Sequence, residues 1–352
     1  MKILKFAAVA LVTVLVFYLL NAGQDLLLPL VIAITLWYLI NLLATAFTRI
    51  PAGPYRIPGP LGLLASILTF LLLGWGLINH LSSRIDEVSE VIPVYQENLQ
   101  ARLASLPLPE SLRFDTGSGG FSQLMGEWMD LPNLYGSLAL SFTSLLASGG
   151  IILIYIAFLM IEQGNFDKKI SALVGNPERE KKVRRIISRI RDDIQKYISI
   201  KIFTSTLTGL LSYAFLLAVG VDFAGVWGLL IFLLNFIPTI GSIIATIFPA
   251  AIALAQSDGL TLFFLVLGGI GALQVAIGNF LEPKLMGSSL NLSPIIILLN
   301  LALWGNIWGV AGMFLCVPLL IITTIVLAHF PQTRAIAVLL SSDGRVNFVT
   351  DD

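Results

Sequence analysis

The sequence predicts an all-α fold: a polytopic integral membrane protein of about seven or eight helices, with broken or re-entrant helices in its C-terminal half. Three observations lead there. The 352 residues are 57% hydrophobic and only 12% charged, whereas an average soluble domain carries about a quarter charged residues, so no ordinary soluble core absorbs the excess. The apolar residues are gathered into runs long enough to cross a bilayer. Between Ile202 and Leu327, nearly uncharged runs also contain or adjoin Asn235, Pro238, Gly241, Pro249, Asn279, Glu282 and Pro283. Lipid cannot hydrate a broken backbone, so such a cluster must be packed in protein or face a watery path.

A hydrocarbon core of roughly 30 Å needs about 20 helical residues. Leu4 to Leu20, Leu26 to Phe47, Leu61 to Ile78 and Leu138 to Ile161 each approach or meet that length. After a polar stretch come Ile202 to Val219, Val226 to Ile237, Ile243 to Ala255, Leu260 to Ile277 and a tract from Pro294 to Ala328. The last is too long for one crossing, and its Trp304-Gly305-Asn306-Ile307-Trp308-Gly309 centre predicts a bend: a hairpin, or a half-span followed by a full span. Val226 to Ala255 is interrupted by Pro238 and Gly241, which leaves halves too short to cross and predicts a broken or re-entrant pair. Lys2 and Lys5 give the first run a signal-peptide flavour, but Leu20-Asn21-Ala22 fits a cleavage site poorly, so it is read as an uncleaved span.

Charge sets the expected orientation. Residues 162–201 hold 11 Lys and Arg, and residues 80–137 hold 3. Basic loops stay inside, so 162–201 is expected in the cytoplasm, 80–137 outside, and both termini inside. The resulting division is 1–79 N-terminal membrane helices, 80–137 an extracytoplasmic amphipathic segment, 138–161 a membrane helix, 162–201 a cytoplasmic basic amphipathic helix, 202–330 a C-terminal transport core and 331–352 a cytoplasmic tail.

Both polar segments carry helical stripes. Asn176 is a candidate cap with Pro177 at the first helical position; downstream, Val183, Ile186, Ile187, Ile190, Ile194 and Ile198 recur at three and four, opposite Lys181, Lys182, Arg185, Arg189 and Lys196. Such a helix anchors to anionic headgroups or acts as a lever on the next span. Outside, Leu81, Ile85, Val88, Ile92, Tyr95, Leu99 and Leu103 form a stripe facing Asp86, Glu87, Glu90 and Glu97, and it needs a partner in this chain or in a neighbouring subunit. Thr116 to Phe121 is a flexible glycine-rich connection and lacks the Lys-Ser/Thr of a phosphate cradle.

Several classes are excluded. Zero net charge gives no basic face for nucleic acid. The single Cys316 allows no disulfide framework and no cysteine metal cluster. His80 and His329 lie at span ends, and no histidine pair, nucleophile elbow or phosphate loop accompanies them, so neither an enzyme nor a cofactor or metal site is expected. Thr204, Ser205, Thr206, Thr208 and Ser212 lie on a helix, where hydroxyls bond to the preceding turn or to a neighbouring helix.

The C-terminal half carries the functional expectation. Pro238 removes a backbone donor and Gly241 permits unusual dihedrals, so 235–241 should open the helix and present carbonyls to a cation, a water or a hydroxylated solute. Pro249 is expected to repeat the break. Glu282 is the only carboxylate between Asp258 and Asp343; it is either a coupling residue that exchanges a proton for a cation or the partner of Lys284 at the inner surface. Asn279 and Pro283 flank it, and Gln274, Asn300 and Asn306 are expected to add hydrogen-bonding groups to the same cavity.

Ile237-Pro238-Thr239-Ile240-Gly241 with Pro249, then Asn279-Phe280-Leu281-Glu282-Pro283-Lys284-Leu285-Met286-Gly287, then Leu292-Ser293-Pro294 and Gly309-Val310-Ala311-Gly312-Met313-Phe314 before Val317-Pro318 together resemble the signature of the autoinducer-2 exporter family, also called the PerM permease family. The resemblance extends over most of the chain. It implies a bacterial or archaeal cytoplasmic (inner) membrane protein that assembles as a homo-oligomer. It also implies transport: some members are linked to export of the furanone signal autoinducer-2, others to exchange of sodium or lithium for protons. Where some antiporting relatives have Pro-Gly-Pro, this chain has Pro238-Thr239-Ile240-Gly241-Ser242, which weakens the antiport expectation.

These residues leave two classes of function. One is an exporter of a small polar solute, or as its variant a sodium(lithium)/proton antiporter taking a monovalent cation, with Asn235, Pro238, Gly241, Pro249, Asn279, Glu282, Pro283, Asn300 and Asn306 as path residues. The other is a non-transporting membrane scaffold. Transport is favoured, because a scaffold gains nothing from interrupted helices in lipid.

Overall fold

A computed structural model describes residues 2–49, 51–52, 55–56, 58–76, 79, 91, 95, 98, 131–257, 259–287 and 291–345. Apart from a two-residue antiparallel pairing of Pro51–Ala52 (β1) with Tyr55–Arg56 (β2), the regular structure among these residues is helical. Most of the outer stripe, its acidic partners, His80 and the 116–121 connection lie outside the described residues.

The first two runs form α1 (Lys2–Ala22) and α2 (Gln24–Arg49), and Gly59–Gly76 forms α3. The next two helices are longer than their apolar runs. Helix α4 (Leu131–Val174) has 44 residues and α5 (Pro177–Ala218) has 42, roughly 60–65 Å each at 1.5 Å per residue, about twice a hydrocarbon core. The basic amphipathic stretch and the apolar run Ile202 to Val219 are therefore one helix without a break at Lys201. Asn176 caps α5 as expected: its side-chain oxygen accepts the amides of Glu178 at 2.9 Å and Arg179 at 3.4 Å. Among the described residues, six helices are long and apolar enough to cross a membrane. Leu72, Phe158, Leu210, Phe264 and Val310 are exposed on them, as lipid-facing side chains should be.

The two anticipated interruptions are present. Helices α6 (Ala224–Leu234) and α7 (Ile240–Gln256) have 11 and 17 residues, each short for a crossing, and are separated at Asn235–Thr239. After α8 (Leu260–Gln274) comes a seven-residue π-helical segment, Val275–Leu281, and the single turn α9 (Glu282–Met286). Helix α10 (Pro294–His329) bends at Trp308 and Gly309, the latter at φ 60°, ψ −143°, a region open essentially to glycine. The amide of Asn300 donates to the Cys316 carbonyl at 2.6 Å. On a straight helix those residues would stand about 24 Å apart, so α10 is a hairpin of a short arm and a full-length arm. Helix α11 (Arg334–Leu340) follows.

The chain forms two compact units. One comprises Met1–Thr69, Ser148–Ser199 and Met286–Asp352, the other Phe70–Ala147 and Ile200–Leu285, so the stretch 202–330 contributes to both. In the first unit the Trp308 indole donates to the Leu20 carbonyl at 3.1 Å and Trp37 to Gln163 at 3.2 Å. The half-buried Val183, Ile186, Ile187, Ile190 and Ile194 share the inner face of α5, while Lys181, Lys182, Arg185 and Lys196 are exposed.

In the second unit, Leu216, Val226, Trp227, Ile231, Ala253, Val266 and Ile270 make a buried apolar core, with Trp227 stacked on Phe248 at 6.5 Å between centroids. Helices α5 and α6 cross at Gly209 and Gly228, where a Cβ on Gly228 would come within 2.7 Å of Tyr213 Cβ; small residues at a membrane crossing let backbones approach this closely. From the 80–137 segment, Tyr95 is buried in the same core and its hydroxyl donates to Asp222 Oδ2 at 2.5 Å, while Asn98 donates to the Ala255 carbonyl at 3.3 Å. At Tyr95, the partner of the outer stripe is the chain itself.

Candidate transport site

A set of buried polar residues of the second unit lies on one face of α5. Lys201, Thr204, Ser205, Thr208 and Ser212 recur at three and four along it, which is the spacing of a single helical face, and all five are buried. At one end the Lys201 ammonium bridges both carboxylate oxygens of Glu282, at 2.8 and 3.0 Å. The two side chains are only 8% and 14% exposed, so the pair has lost most of its water and each charge depends on the other. Thr204 Oγ1 reaches the same carboxylate at 3.3 Å. The adjacent residue, Ser205, accepts the Asn235 amide at 3.1 Å. Through these neighbours the helix break at 235–239 and the Glu282 turn share one polar seam.

Local sequence explains how each partner reaches it. Pro238 cannot donate a helical hydrogen bond, so α6 ends and Asn235 is freed from the helix interior to turn onto Ser205. The chain re-enters a helix through Thr239 at φ 60°, ψ −60°, an outlier for a β-branched residue. The expectation that Gly241 supplies the unusual dihedrals is therefore corrected: Thr239 adopts them. Gly241 is needed for close approach, because a Cβ there would lie 1.8 Å from the Leu234 carbonyl oxygen. On the other side, the Glu282 amide bonds five residues back, to Ile277, and Pro283 offers no amide to the next carbonyl. The extra residue of a π turn re-aims the side chains beyond it, and such segments are frequent at functional sites. Here it precedes the carboxylate directly.

Two atoms along the seam lack partners. Ser212 Oγ and Gln274 Nε2 are buried with no hydrogen-bond partner among the described residues. Helix α8 and its π extension run antiparallel to α5, with Gly269 against Phe215 at one end and Glu282 against Lys201 and Thr204 at the other. Gln274 shares the buried face of Val266 and Ile270, and that register sets it level with the Thr208–Ser212 turn. Thr208 itself bonds to the Thr204 carbonyl at 2.8 Å, one turn back.

The other expected path residues are placed differently. Pro249 is fully buried inside a continuous α7 and does not repeat the break. Pro238 is half-buried, and Asn279 and Pro283 are exposed. Asn300 and Asn306 belong to the first unit, where Asn300 fastens the α10 hairpin and Asn306 is exposed. Of the two readings of Glu282, the pairing with Lys284 is replaced by a partner 81 residues away. Sequence reasoning missed Lys201, which closes the basic segment and was counted with it; its signal was the continuation of its spacing into Thr204, Ser205, Thr208 and Ser212.

Comparisons with known proteins agree with this architecture. A family model described as "AI-2E family transporter" matches residues 6–332. The chain is 31% identical over 325 residues to the "AI-2 transport protein TqsA" of Escherichia coli strain K12, covering 91% of this chain and 90% of the relative. It is also 31% identical over 293 residues to a Haemophilus influenzae protein named "Putative transport protein", covering 81% and 82%. A multi-pass helical membrane protein that matches the family model over nearly its whole length, this chain belongs to the AI-2E transporter family.

Proposed function

We propose that this protein exports a small polar solute across a bacterial inner membrane, with autoinducer-2 as the first candidate, and that the seam on α5 lines the path. The observation that carries the reading is the buried set of Lys201, Thr204, Ser205 and Asn235 with the largely buried Glu282, built where two helices break. Buried charged and polar groups in membrane helices are costly, and they mark substrate or ion pathways. The name of the relative TqsA supports the solute class. Both termini and 162–201 face the cytoplasm in this reading, 80–137 faces outward, and the protein works as a homo-oligomer.

Sodium(lithium)/proton antiport uses the same carboxylate, but an ammonium already lies against it, which supports solute export. A scaffold has no use for a desolvated ion pair among hydroxyls. Everted vesicles containing the protein should accumulate a furanone from a small panel. Glu282→Gln and Asn235→Ala should lower that uptake by ~10-fold or more at equal protein in the membrane, the scale of one lost polar contact to the transported species. Normal uptake in both variants would refute the path assignment.

A further inference from the structure

We propose that Lys201 is a tethered cation: it fills the place beside Glu282 that a free sodium ion or a proton would otherwise take, so that this chain moves its solute without exchanging either ion at Glu282. The inference rests on the path assigned above and adds how that path is coupled.

The geometry supports it in three ways. The Lys201 ammonium is within hydrogen-bond distance of both Glu282 oxygens, and Thr204 Oγ1 contacts Oε2. A monovalent cation would have to bind the same oxygens, which are already engaged. Both side chains are desolvated, so charge neutrality at the site is strongly enforced, and the ammonium meets it from within the chain. Lys284, the cation nearest Glu282 in sequence, is exposed on the turn that follows; beyond Lys201 the α5 face along the seam is uncharged, with Thr204, Ser205, Thr208 and Ser212, and before it the buried Asp193 is paired with Arg189. Removing the ammonium leaves a largely buried carboxylate without its partner, and a cation from solution is then the group that can take its place. Lys201 therefore determines ion specificity.

The test uses the full chain in proteoliposomes with a trapped pH dye, and sodium alone as the probe. Wild-type protein should release no protons on a sodium jump and retain radiosodium at the level of empty liposomes. Lys201→Met should retain roughly tenfold more radiosodium or release protons with it. Lys201→Arg, which keeps a cation at the site, should retain no more radiosodium than the wild type and release no protons on the jump, whatever its furanone uptake, and Lys201→Met combined with Glu282→Gln should lose the gain. Sodium-for-proton exchange by the wild type that Glu282→Gln abolishes would overturn the proposal. So would a folded Lys201→Met variant, judged by its elution and melting, that shows no gain. If Lys201→Met does not fold, the wild-type arm decides alone: silence supports the tethered cation and exchange overturns it. Failure of the path itself appears elsewhere, as unchanged furanone uptake in Glu282→Gln, so the two failures are distinguishable.

Discussion

A lysine and a glutamate separated by 81 residues meet at 2.8 Å with little water around them. Such a pair contributes little net stability compared with apolar residues of the same size, yet breaking it by removing one partner costs about 3–5 kcal/mol. This separates fold from function. Glu282→Gln should lower the melting temperature in detergent as well as uptake. Lys201→Met with Glu282→Met should melt near the wild type and still fail to transport. A double variant that both melts normally and transports would show that the pair has no part in the path. Asn235→Ala deletes one buried hydrogen bond to Ser205, a loss of about 1 kcal/mol, and its larger effect should fall on uptake.

At the scale of elements, the breaks were legible and their mechanism was only partly so. Proline and glycine inside apolar runs announced the interruption of α6 and α7 and the bend in α10, because both residues disturb a helix locally. What Gly241 does depends on where the Leu234 carbonyl lies in space, and one-dimensional pattern cannot show that. The π segment before Glu282 leaves no periodic signature, since its seven residues are as apolar as any span. Pro249 shows the converse: a membrane helix absorbs a proline without breaking when its neighbours pack around it. Gly241→Ala should destabilise the protein by about 2–4 kcal/mol, the scale of a forced backbone clash in a packed region, measured as a fall in melting temperature. Pro249→Ala should leave uptake per folded molecule unchanged; a selective loss of uptake would return Pro249 to the path.

For the whole molecule, the class followed from composition and run length, since a bilayer demands long apolar helices, and six of the described helices meet that length. The candidate site was half legible. Asn235 and Glu282 stood out as polar residues in apolar surroundings, whereas Lys201 was hidden among cations that the positive-inside rule assigns to the cytoplasm. Asn300 reads as a path residue in one dimension because an amide in a span has the same signature whether it binds solute or pins a hairpin. Tyr95, in the 80–137 segment, adds a further expectation. Burial, and then the hydrogen bond to Asp222, push the Tyr95 phenol above its ordinary range. A raised acid in the folded state stabilises fully below its unfolded pKa, about 10, and that contribution is lost as pH rises beyond it. Tyr95→Phe should therefore lower stability at neutral pH by about 1 kcal/mol and flatten the alkaline part of the melting-temperature profile.

The claim at the centre is that the hydroxyl-lined face of α5 is wet and carries the solute. Ser212→Cys, in a Cys316→Ala background, places a thiol beside the unpartnered end of that seam, and Leu216→Cys, one turn on in the apolar core, is its control. A small hydrophilic thiol reagent should modify position 212 at least ~10-fold faster than position 216, and the transported furanone should slow it, as a water-filled cavity demands. Equal, negligible rates at the two positions, with no effect of solute, would contradict the account.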